Sequence, residues 1–218
     1  MRLAFWGAEE AGLIGSTQYI AQLTEAERNE ILLNLNFDML ASPNFVRFVY
    51  DGNTDDTPPP EGGAPPGSDV IEQVFLDYFA SRGLPTAPTA FDGRSDYGPF
   101  IAQGIPAGGL FSGAEGIKTP AQAAVYGGVA GEQYDPCYHE VCDTFDSVFG
   151  SGSGVPGLDA NGATSLDQMS DAVAHATLHF VTEPNPLATA TPVTTSSARS
   201  KGLAPYKLDF RGPERAAR

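Results

Sequence analysis

The chain opens with MRLAFWGAEEAGLIGS, residues 1–16. The apolar run Leu3–Trp6 predicts a buried strand that ends at Gly7, and a helical pattern begins soon afterwards. Glu9 and Glu10 therefore fall where a strand passes into a helix, which is the edge of an α/β sheet at which ligands bind. Two interpretations fit this pair. Either one glutamate binds a metal ion and the other is left as a base, or both belong to a solvated acidic helix start, which the helix dipole favours.

The rest of the chain alternates predicted strands with predicted helices. This pattern indicates an α/β fold of three layers, α/β/α, with a mostly parallel central sheet. Further strands are expected at Leu32–Met39, Val46–Tyr50 and Ala107–Phe111. Helices are expected at Ser16–Leu23, Glu25–Leu32, Asp69–Ser81, Ser95–Gln103 and Leu166–Phe180. Segments 51–67 and 150–163 are rich in glycine and contain proline, which predicts surface loops.

Charge divides the chain into an acidic body and a basic tail. The 218 residues are 41% hydrophobic and carry a formal net charge of −15. We expect one domain over residues 1–183, followed over residues 184–218 by a flexible linker rich in Pro, Thr, Ala and Ser and a basic tail. The negative charge makes nucleic acid and anionic membranes poor partners, and no apolar run is long enough to span a bilayer.

Cysteine and histidine are concentrated in CYHEVC, where Cys137 and Cys142 flank His139. So close a pair forms a local disulfide or, together with His139, part of a metal site. The acidic body and low lysine content are typical of an exported protein and favour the disulfide. His175 and His179 have the four-residue spacing of a zinc-binding pair on a helix, but apolar residues surround them, so we expect packing or surface roles.

Two further charged residues stand where chemistry is expected. Asp38 interrupts an apolar strand in NLNFDML, and a carboxylate there needs a metal ion or a polar partner such as a helix end or a salt bridge. Arg94 lies in GRSDYGPF, in a turn that opens a helix, where it can hold a substrate carbonyl, pair with a carboxylate or form a plain surface pair. Carboxylates with one imidazole suit zinc or manganese in a hydrolytic site, where a free glutamate accepts the proton of a metal-activated water.

Five segments together resemble the co-catalytic two-zinc aminopeptidases, in particular the secreted bacterial leucine-type enzymes. They are FWGAEEAGLIGS, NFDML, DGRSDYGPF, GIPAGGLFSGA and CYHEVCDTF, and they occur in the family's order within residues 2–180. The resemblance implies a zinc-dependent enzyme that removes N-terminal, mainly apolar residues from peptides with a free N-terminus. It also implies a secreted monomer, although no secretory signal peptide is recognisable in the chain.

The resemblance also implies a role for each matching residue. Glu9 falls on the general base, and Glu10, Asp38 and His139 fall on zinc ligands, of which Asp38 also helps to hold the substrate's amine. Tyr138 falls on the residue that polarises the scissile carbonyl. The remaining assignments are the substrate-site Arg94, the pocket wall at Phe111, a disulfide between Cys137 and Cys142, and a calcium site at Asp167 and Asp171, for which helix N-terminal charge is the alternative.

The chain departs from the family's pattern at its beginning. The family's metal centre has five protein ligands, and the second histidine and the bridging aspartate lie well upstream of the AEE motif, whereas this chain begins six residues before Gly7. We therefore expect an N-terminally truncated catalytic portion that lacks the first strands of the sheet, binds zinc weakly and has little activity. Tyr97 also stands where close relatives carry a histidine that is not a ligand.

Two alternative functions are also compatible with the sequence. One is another enzyme on the same scaffold, such as a carboxypeptidase or a glutaminyl cyclase. The other is a non-catalytic remnant or binding module. The set of Glu9, Asp38 and Arg94, which would hold a free amine, favours the aminopeptidase.

Overall fold

The computed structural model describes residues 1–190, which form an α/β fold around a four-stranded sheet. The spatial order is β1-β4-β2-β3. The β1/β4 and β2/β3 pairs are parallel and the β2/β4 pair is antiparallel. The predicted α/β class with a mostly parallel sheet is therefore confirmed. The strands are β1 (Asn34–Phe37), β2 (Phe48–Tyr50), β3 (Ala87–Thr89) and β4 (Ala107–Phe111).

Seven helices accompany the sheet within residues 1–190, and the five predicted ones are present with altered bounds. Two short helices and β3 were not predicted, because segments of three to seven residues are too short to show a hydrophobic period. In the described part of the chain, no helix combines the length and the apolar character needed to cross a membrane. The helices are α1 (Ile14–Gln22), α2 (Glu25–Asn29), α3 (Ser68–Ser81), α4 (Gly98–Ile101), α5 (Pro120–Tyr126), α6 (Phe145–Phe149) and α7 (Asn161–Thr182).

Helices α3 and α7 cover one face of the sheet and form the main core. Alternate strand residues point to opposite faces, and Val49 and Leu110 point to this one. Phe75 lies on the buried face of α3, and Ala172 and Ala176 on α7 are fully buried as well. Because these alanines are small, α7 can approach α3 and the sheet closely. The larger side chains of α3 complete the core between the two helices and the sheet.

The opposite face of the sheet is lined by aromatic side chains and carries the candidate site. Tyr50 stacks on Phe91 with ring centroids 5.0 Å apart, and Tyr97 meets Tyr50 edge-on at 4.9 Å. Tyr97 is almost completely buried, and Phe111 packs against the same cluster. This layer fixes the segment that carries Arg94 and its neighbours against the sheet.

The segment Leu3–Trp6 forms no strand, so that prediction is wrong. Leu3 is 74% exposed and Phe5 is 94% exposed, and Trp6 packs its ring 5.2 Å from that of Tyr19. A strand needs a hydrogen-bonding partner, and within residues 1–190 none of the four strands pairs with this segment. Of these three side chains, Trp6 packs on a neighbouring ring, whereas Leu3 and Phe5 stay exposed.

The predicted linker and tail, residues 184–218, lie mostly outside the described residues, which end at 190. The boundary expected at residue 183 is close to the end of α7 at Thr182. The domain division itself stays a prediction.

Candidate active site

Glu9 and Glu10 lie in a tight turn before α1. The N–H of Gly15 donates to the carbonyl of Gly7 at 3.0 Å and closes the turn. A Cβ on Gly15 would lie 2.6 Å from the Gly7 oxygen, so only glycine permits this approach. Ala8 has φ 56°, in the left-handed region. The turn leaves Glu9 partly buried and Glu10 exposed, which is a different environment for each carboxylate.

His139 comes to Glu10 from the loop between α5 and α6. Its Nε2 lies 3.1 Å from Oε1 of Glu10, and the two side chains are 52% and 68% exposed. In the structure Cys137 and Cys142 are joined by a disulfide, which closes the loop around His139. Two of the three predicted zinc ligands are therefore in contact although they lie about 130 residues apart.

Asp38 follows β1 directly, at the carboxyl end of the strand. The hydroxyl of Ser95 donates to Oδ2 of Asp38 at 2.7 Å, and Nδ2 of Asn36 donates to Oγ of Ser95 at 2.9 Å. Because the Ser95 oxygen accepts from the buried Asn36, its own proton is directed at Asp38. This chain of two hydrogen bonds holds the Asp38 carboxylate in one orientation.

Backbone strain is concentrated around these residues. Six non-glycine residues in the described part of the chain have a positive φ, and three of them adjoin or form the candidate site: Ala8, Met39 and His139. Such a conformation costs about 1–3 kcal/mol and persists only where the surrounding structure imposes it. Its recurrence beside Glu9, Asp38 and at His139 supports a functional site.

Glu9 is the centre of an acidic cluster. Burial, and then the charges of Glu10, Asp38 and Asp96, raise the pKa of Glu9 to about 7, and Arg94 offsets part of this rise. A carboxyl group that titrates near neutral pH can both accept and return a proton. The same excess of negative charge favours a divalent cation nearby.

The donor set of two carboxylates and one imidazole matches the chemistry of zinc. Catalytic zinc sites commonly use three protein ligands and leave a position for water. Within residues 1–190, however, no three side chains of His, Cys, Asp or Glu form a group that could hold a metal ion by themselves. The types of these three residues therefore suit zinc. Glu10 and His139 are in contact, and Asp38 is held separately by Ser95.

A cavity of about 300 Å³ begins at Asp38 and extends along the aromatic face of the sheet. Phe48 and Phe111 stack there with ring centroids 5.9 Å apart, and Tyr134 meets Phe48 edge-on at 5.3 Å. Phe111, which the sequence predicts as a pocket wall, lines this cavity. Aromatic rings and charged or polar side chains both line it, as in sites that take an apolar group and orient it through polar groups.

The rim of the cavity carries Arg94, Glu115 and Tyr138. Nη1 of Arg94 lies 2.6 Å from Oε1 of Glu115. Burial and the nearby Glu10 carboxylate raise the pKa of Tyr138, while Arg94 lowers it. The phenol therefore keeps its proton and remains a hydrogen-bond donor at neutral pH.

Sequence reasoning missed Ser95 and Glu115 as parts of the site. Ser95 stands inside the quoted segment GRSDYGPF, and Glu115 directly follows GIPAGGLFSGA. Their partners lie 57 residues away at Asp38 and 21 residues away at Arg94. A local pattern carries no information about contacts of that range.

The remaining predicted residues lie apart from this cluster. The His175 ring lies 4.9 Å from that of Tyr78 and the His179 ring 5.0 Å from that of Phe180, in agreement with the packing or surface roles expected for them. Asp167 and Asp171 are exposed on α7, and in the described residues they join no group suited to a metal. Tyr97 donates its hydroxyl to Asp92 at 2.9 Å inside the aromatic layer, which is a structural role.

The comparisons with known proteins identify the family of the chain. The model of Peptidase family M28 matches residues 1–153. An aminopeptidase of Pseudomonas aeruginosa is 51% identical over 148 residues, which cover 68% of this chain and 27% of that protein. Leucine aminopeptidase 2 of Trichophyton equinum is 49% identical over 153 residues, covering 68% of this chain and 29% of that protein.

A solved structure supports the fold. The zinc aminopeptidase of Bacillus subtilis superposes with a TM-score of 0.53 at 21% identity, covering 79% of this chain and 34% of that one. At this level of identity the likeness shows the α/β fold alone, and the family follows from the sequence match. The chain belongs to peptidase family M28. It spans less than a third of the length of the curated relatives that it matches.

Proposed function

We propose that this chain carries the catalytic glutamates and part of the zinc site of an aminopeptidase that removes N-terminal, mainly apolar residues from peptides. The observation that carries the proposal is the contact between Glu10 and His139 at 3.1 Å, beside the acidic cluster of Glu9. The apolar cavity that begins at Asp38 gives the N-terminal side chain a place to bind. The names of the relatives, aminopeptidase and leucine aminopeptidase 2, support the same activity.

Glu10, Asp38 and His139 are the residues that would hold zinc. When bound there, the ion would polarise the scissile carbonyl and lower the pKa of a water molecule. Glu9 accepts the proton of the attacking water and returns it to the leaving amine, because its partly buried carboxylate lies in the acidic cluster beside Glu10. The protonated hydroxyl of Tyr138 donates to the oxygen of the scissile carbonyl as negative charge develops there.

Recognition of the free amine falls to the acidic groups. An N-terminal ammonium is attracted by Glu9 and Asp38, whereas an acetylated terminus has no charge to offer. Ser95 and Asn36 hold Asp38 in place for this contact. The free-amine requirement separates this proposal from a carboxypeptidase.

The secretion, oligomeric state, zinc affinity and calcium binding of the chain are also proposals. The acidic composition and the disulfide are typical of a secreted protein. We infer that the 218-residue chain binds zinc weakly and turns over slowly, because three donors are fewer than the five ligands of the two-zinc centre that the sequence resembles. A monomeric state is proposed from that resemblance alone. A calcium site at Asp167 and Asp171 is supported only by the four-residue spacing of these aspartates on α7.

The test uses the zinc-loaded full chain with leucyl 4-nitroanilide and its N-acetyl derivative. Slow hydrolysis of the free-amine substrate alone, abolished by a chelator and by Glu9→Gln, is the expected result. Hydrolysis of both substrates at similar rates, or a rate unaffected by Glu9→Gln, would overturn the assignment.

A second candidate is a non-catalytic binding module. It is favoured by the lack, among residues 1–190, of a three-residue group able to hold a metal ion alone. A zinc-loaded chain that binds leucine amide but hydrolyses neither nitroanilide would support the module and contradict the enzyme.

A further inference from the structure

The cavity in the candidate active site has an unusual distribution of charge at its rim. Of the residues that line it in the described part of the chain, Arg94 is the sole cation, and Asp38, Asp92 and Glu115 are acidic. An unpaired arginine at such a place would attract carboxylates, since the guanidinium binds them through two hydrogen bonds. The partners of these four residues therefore decide which side chains the cavity accepts.

Two of the three carboxylates are held by other groups. Asp38 accepts the Ser95 hydroxyl at 2.7 Å. Oδ1 of Asp92 accepts the Tyr97 hydroxyl at 2.9 Å and the backbone N–H of Arg94 at 3.0 Å. The guanidinium of Arg94 instead meets Glu115, with Nη1 2.6 Å from Oε1.

The pair of Arg94 and Glu115 is reachable from solvent and from the cavity. The two side chains are 58% and 46% exposed, so neither is locked into the core. An exposed pair of this kind is held by modest energy, and a competing carboxylate can challenge it. Glu115 therefore sets how much positive charge the rim presents.

We propose that Glu115 is a specificity-determining residue, which neutralises Arg94 so that the cavity accepts uncharged N-terminal side chains and rejects acidic ones. The inference rests on the proposed aminopeptidase function and names the substrate class that the same site excludes. An incoming aspartyl or glutamyl side chain meets Glu115 and Asp92, and like charges at a recognition site discriminate against it. Removal of the Glu115 charge leaves Arg94 free to bind that carboxylate.

The test is a binding measurement that needs no turnover. The affinities of the full chain for leucine amide and for the α-amide of glutamic acid are measured by calorimetry or NMR for the wild type, Glu115→Gln and Glu61→Gln. Glu61 is an exposed glutamate in the surface loop and serves as the matched control. We expect Glu115→Gln to shift the ratio of affinities about two- to fivefold towards the glutamyl amide, the size typical of an exposed ion pair. Glu61→Gln should leave the ratio unchanged.

A second background shows whether the effect passes through Arg94. In Arg94→Gln the cation is absent, so the further change Glu115→Gln should no longer favour the glutamyl amide. An unchanged ratio in Glu115→Gln, an equal shift in Glu61→Gln, a shift that persists without Arg94, or no binding of either amide would each overturn the proposal.

The aminopeptidase assignment is tested separately with leucyl and glutamyl 4-nitroanilides. If the binding ratio shifts as expected and neither nitroanilide is hydrolysed, the proposed enzymatic function fails while the role of Glu115 stands. If both are hydrolysed and the ratio of kcat/KM does not shift, the role of Glu115 fails while the enzyme stands.

Discussion

At the scale of single residues, the environment of Glu9 differs from that of Glu10 although the two are adjacent. Glu9 is partly buried, and its pKa is raised to about 7 by burial and by three neighbouring carboxylates. Glu10 is exposed and in contact with His139. These two environments are compatible with the roles that the resemblance implies, a base at Glu9 and a metal ligand at Glu10, and both roles stay proposals.

This division predicts the result of a single substitution. Glu9→Gln should remove turnover, because a general base contributes about 10²–10⁴-fold to the rate, while zinc affinity stays nearly unchanged. Rates and metal content are measured on the same zinc-loaded samples. Loss of zinc from Glu9→Gln would instead mean that Glu9 and Glu10 have their roles exchanged.

Ser95 offers a test of the orientation of Asp38. Ser95→Ala removes the donor to Asp38 and leaves the buried Nδ2 of Asn36 without its partner, which should lower the free energy of unfolding by about 1–3 kcal/mol. Zinc affinity should fall about 10–100-fold, as is usual when a ligand loses its orienting hydrogen bond. Urea unfolding and zinc titration measure the two effects.

The matched control is Ser170→Ala. Ser170 is exposed on α7, and its hydroxyl donates to the carbonyl of Asp167 in its own helix. We expect no change in zinc affinity there. Equal effects of the two substitutions would show that the Asp38 contact is not specific.

At the scale of elements, α3 is tied to the loop after β2 through Glu72. This carboxylate is only 5% exposed and accepts the N–H groups of Gly52 and Asn53 at 3.1 and 3.2 Å. Burial raises the pKa of Glu72 from 4.5 to about 7, and the nearby Asp51 adds to the rise, while the backbone hydrogen bonds oppose it. The protonated form is therefore favoured in the folded state relative to the unfolded chain.

The raised pKa of Glu72 determines how the stability of the fold changes with pH. Below pH 4.5 Glu72 is protonated in both states, and as the pH rises to about 7 the unfolded chain ionises first, so stability is lost across this window. Glu72→Gln, which cannot ionise, should reduce the loss by on the order of 2 kcal/mol. Urea unfolding at pH 5 and pH 8 measures it. Glu61→Gln is the control, and an identical pH dependence in the wild type and Glu72→Gln would contradict the prediction.

The loop that presents His139 depends on the disulfide between Cys137 and Cys142. Replacing both cysteines by serine should weaken zinc binding about tenfold, because the loop no longer holds His139 beside Glu10. The loss of unfolding free energy should stay near 2 kcal/mol or below, since the closed loop is short. A variant that keeps its zinc affinity but loses much more than about 2 kcal/mol of unfolding free energy would show that the bond supports the fold rather than the site.

At the scale of the whole molecule, hydrophobic periodicity predicted the long elements well. Helix α3 was expected at Asp69–Ser81 and is found at Ser68–Ser81, and strand β4 has the expected bounds, Ala107–Phe111. The error at Leu3–Trp6 has a physical cause. An apolar run shows that burial is favourable, but a strand also requires a neighbouring strand, and pairing is a long-range property.

The candidate site was predictable in its residue types and not in its contacts. Glu9, Glu10, Asp38 and His139 were proposed from motifs, because chemistry constrains local sequence, and their roles stay predictions. The pair of Arg94 and Glu115 depends on how two loops meet at the sheet, and no local pattern records it.

Zinc binding by the full chain tests the central claim most directly. Calorimetric titration of the wild type should show one weak zinc site that His139→Ala weakens at least about tenfold. Loss of a residue that only hydrogen-bonds to a metal ligand already costs about 10–100-fold, and loss of a ligand should cost no less. His175→Ala, which removes a histidine that packs on Tyr78, should leave the affinity unchanged. Zinc affinity that survives in His139→Ala, or that disappears in His175→Ala, would contradict the assignment of Glu10, Asp38 and His139 as the metal ligands.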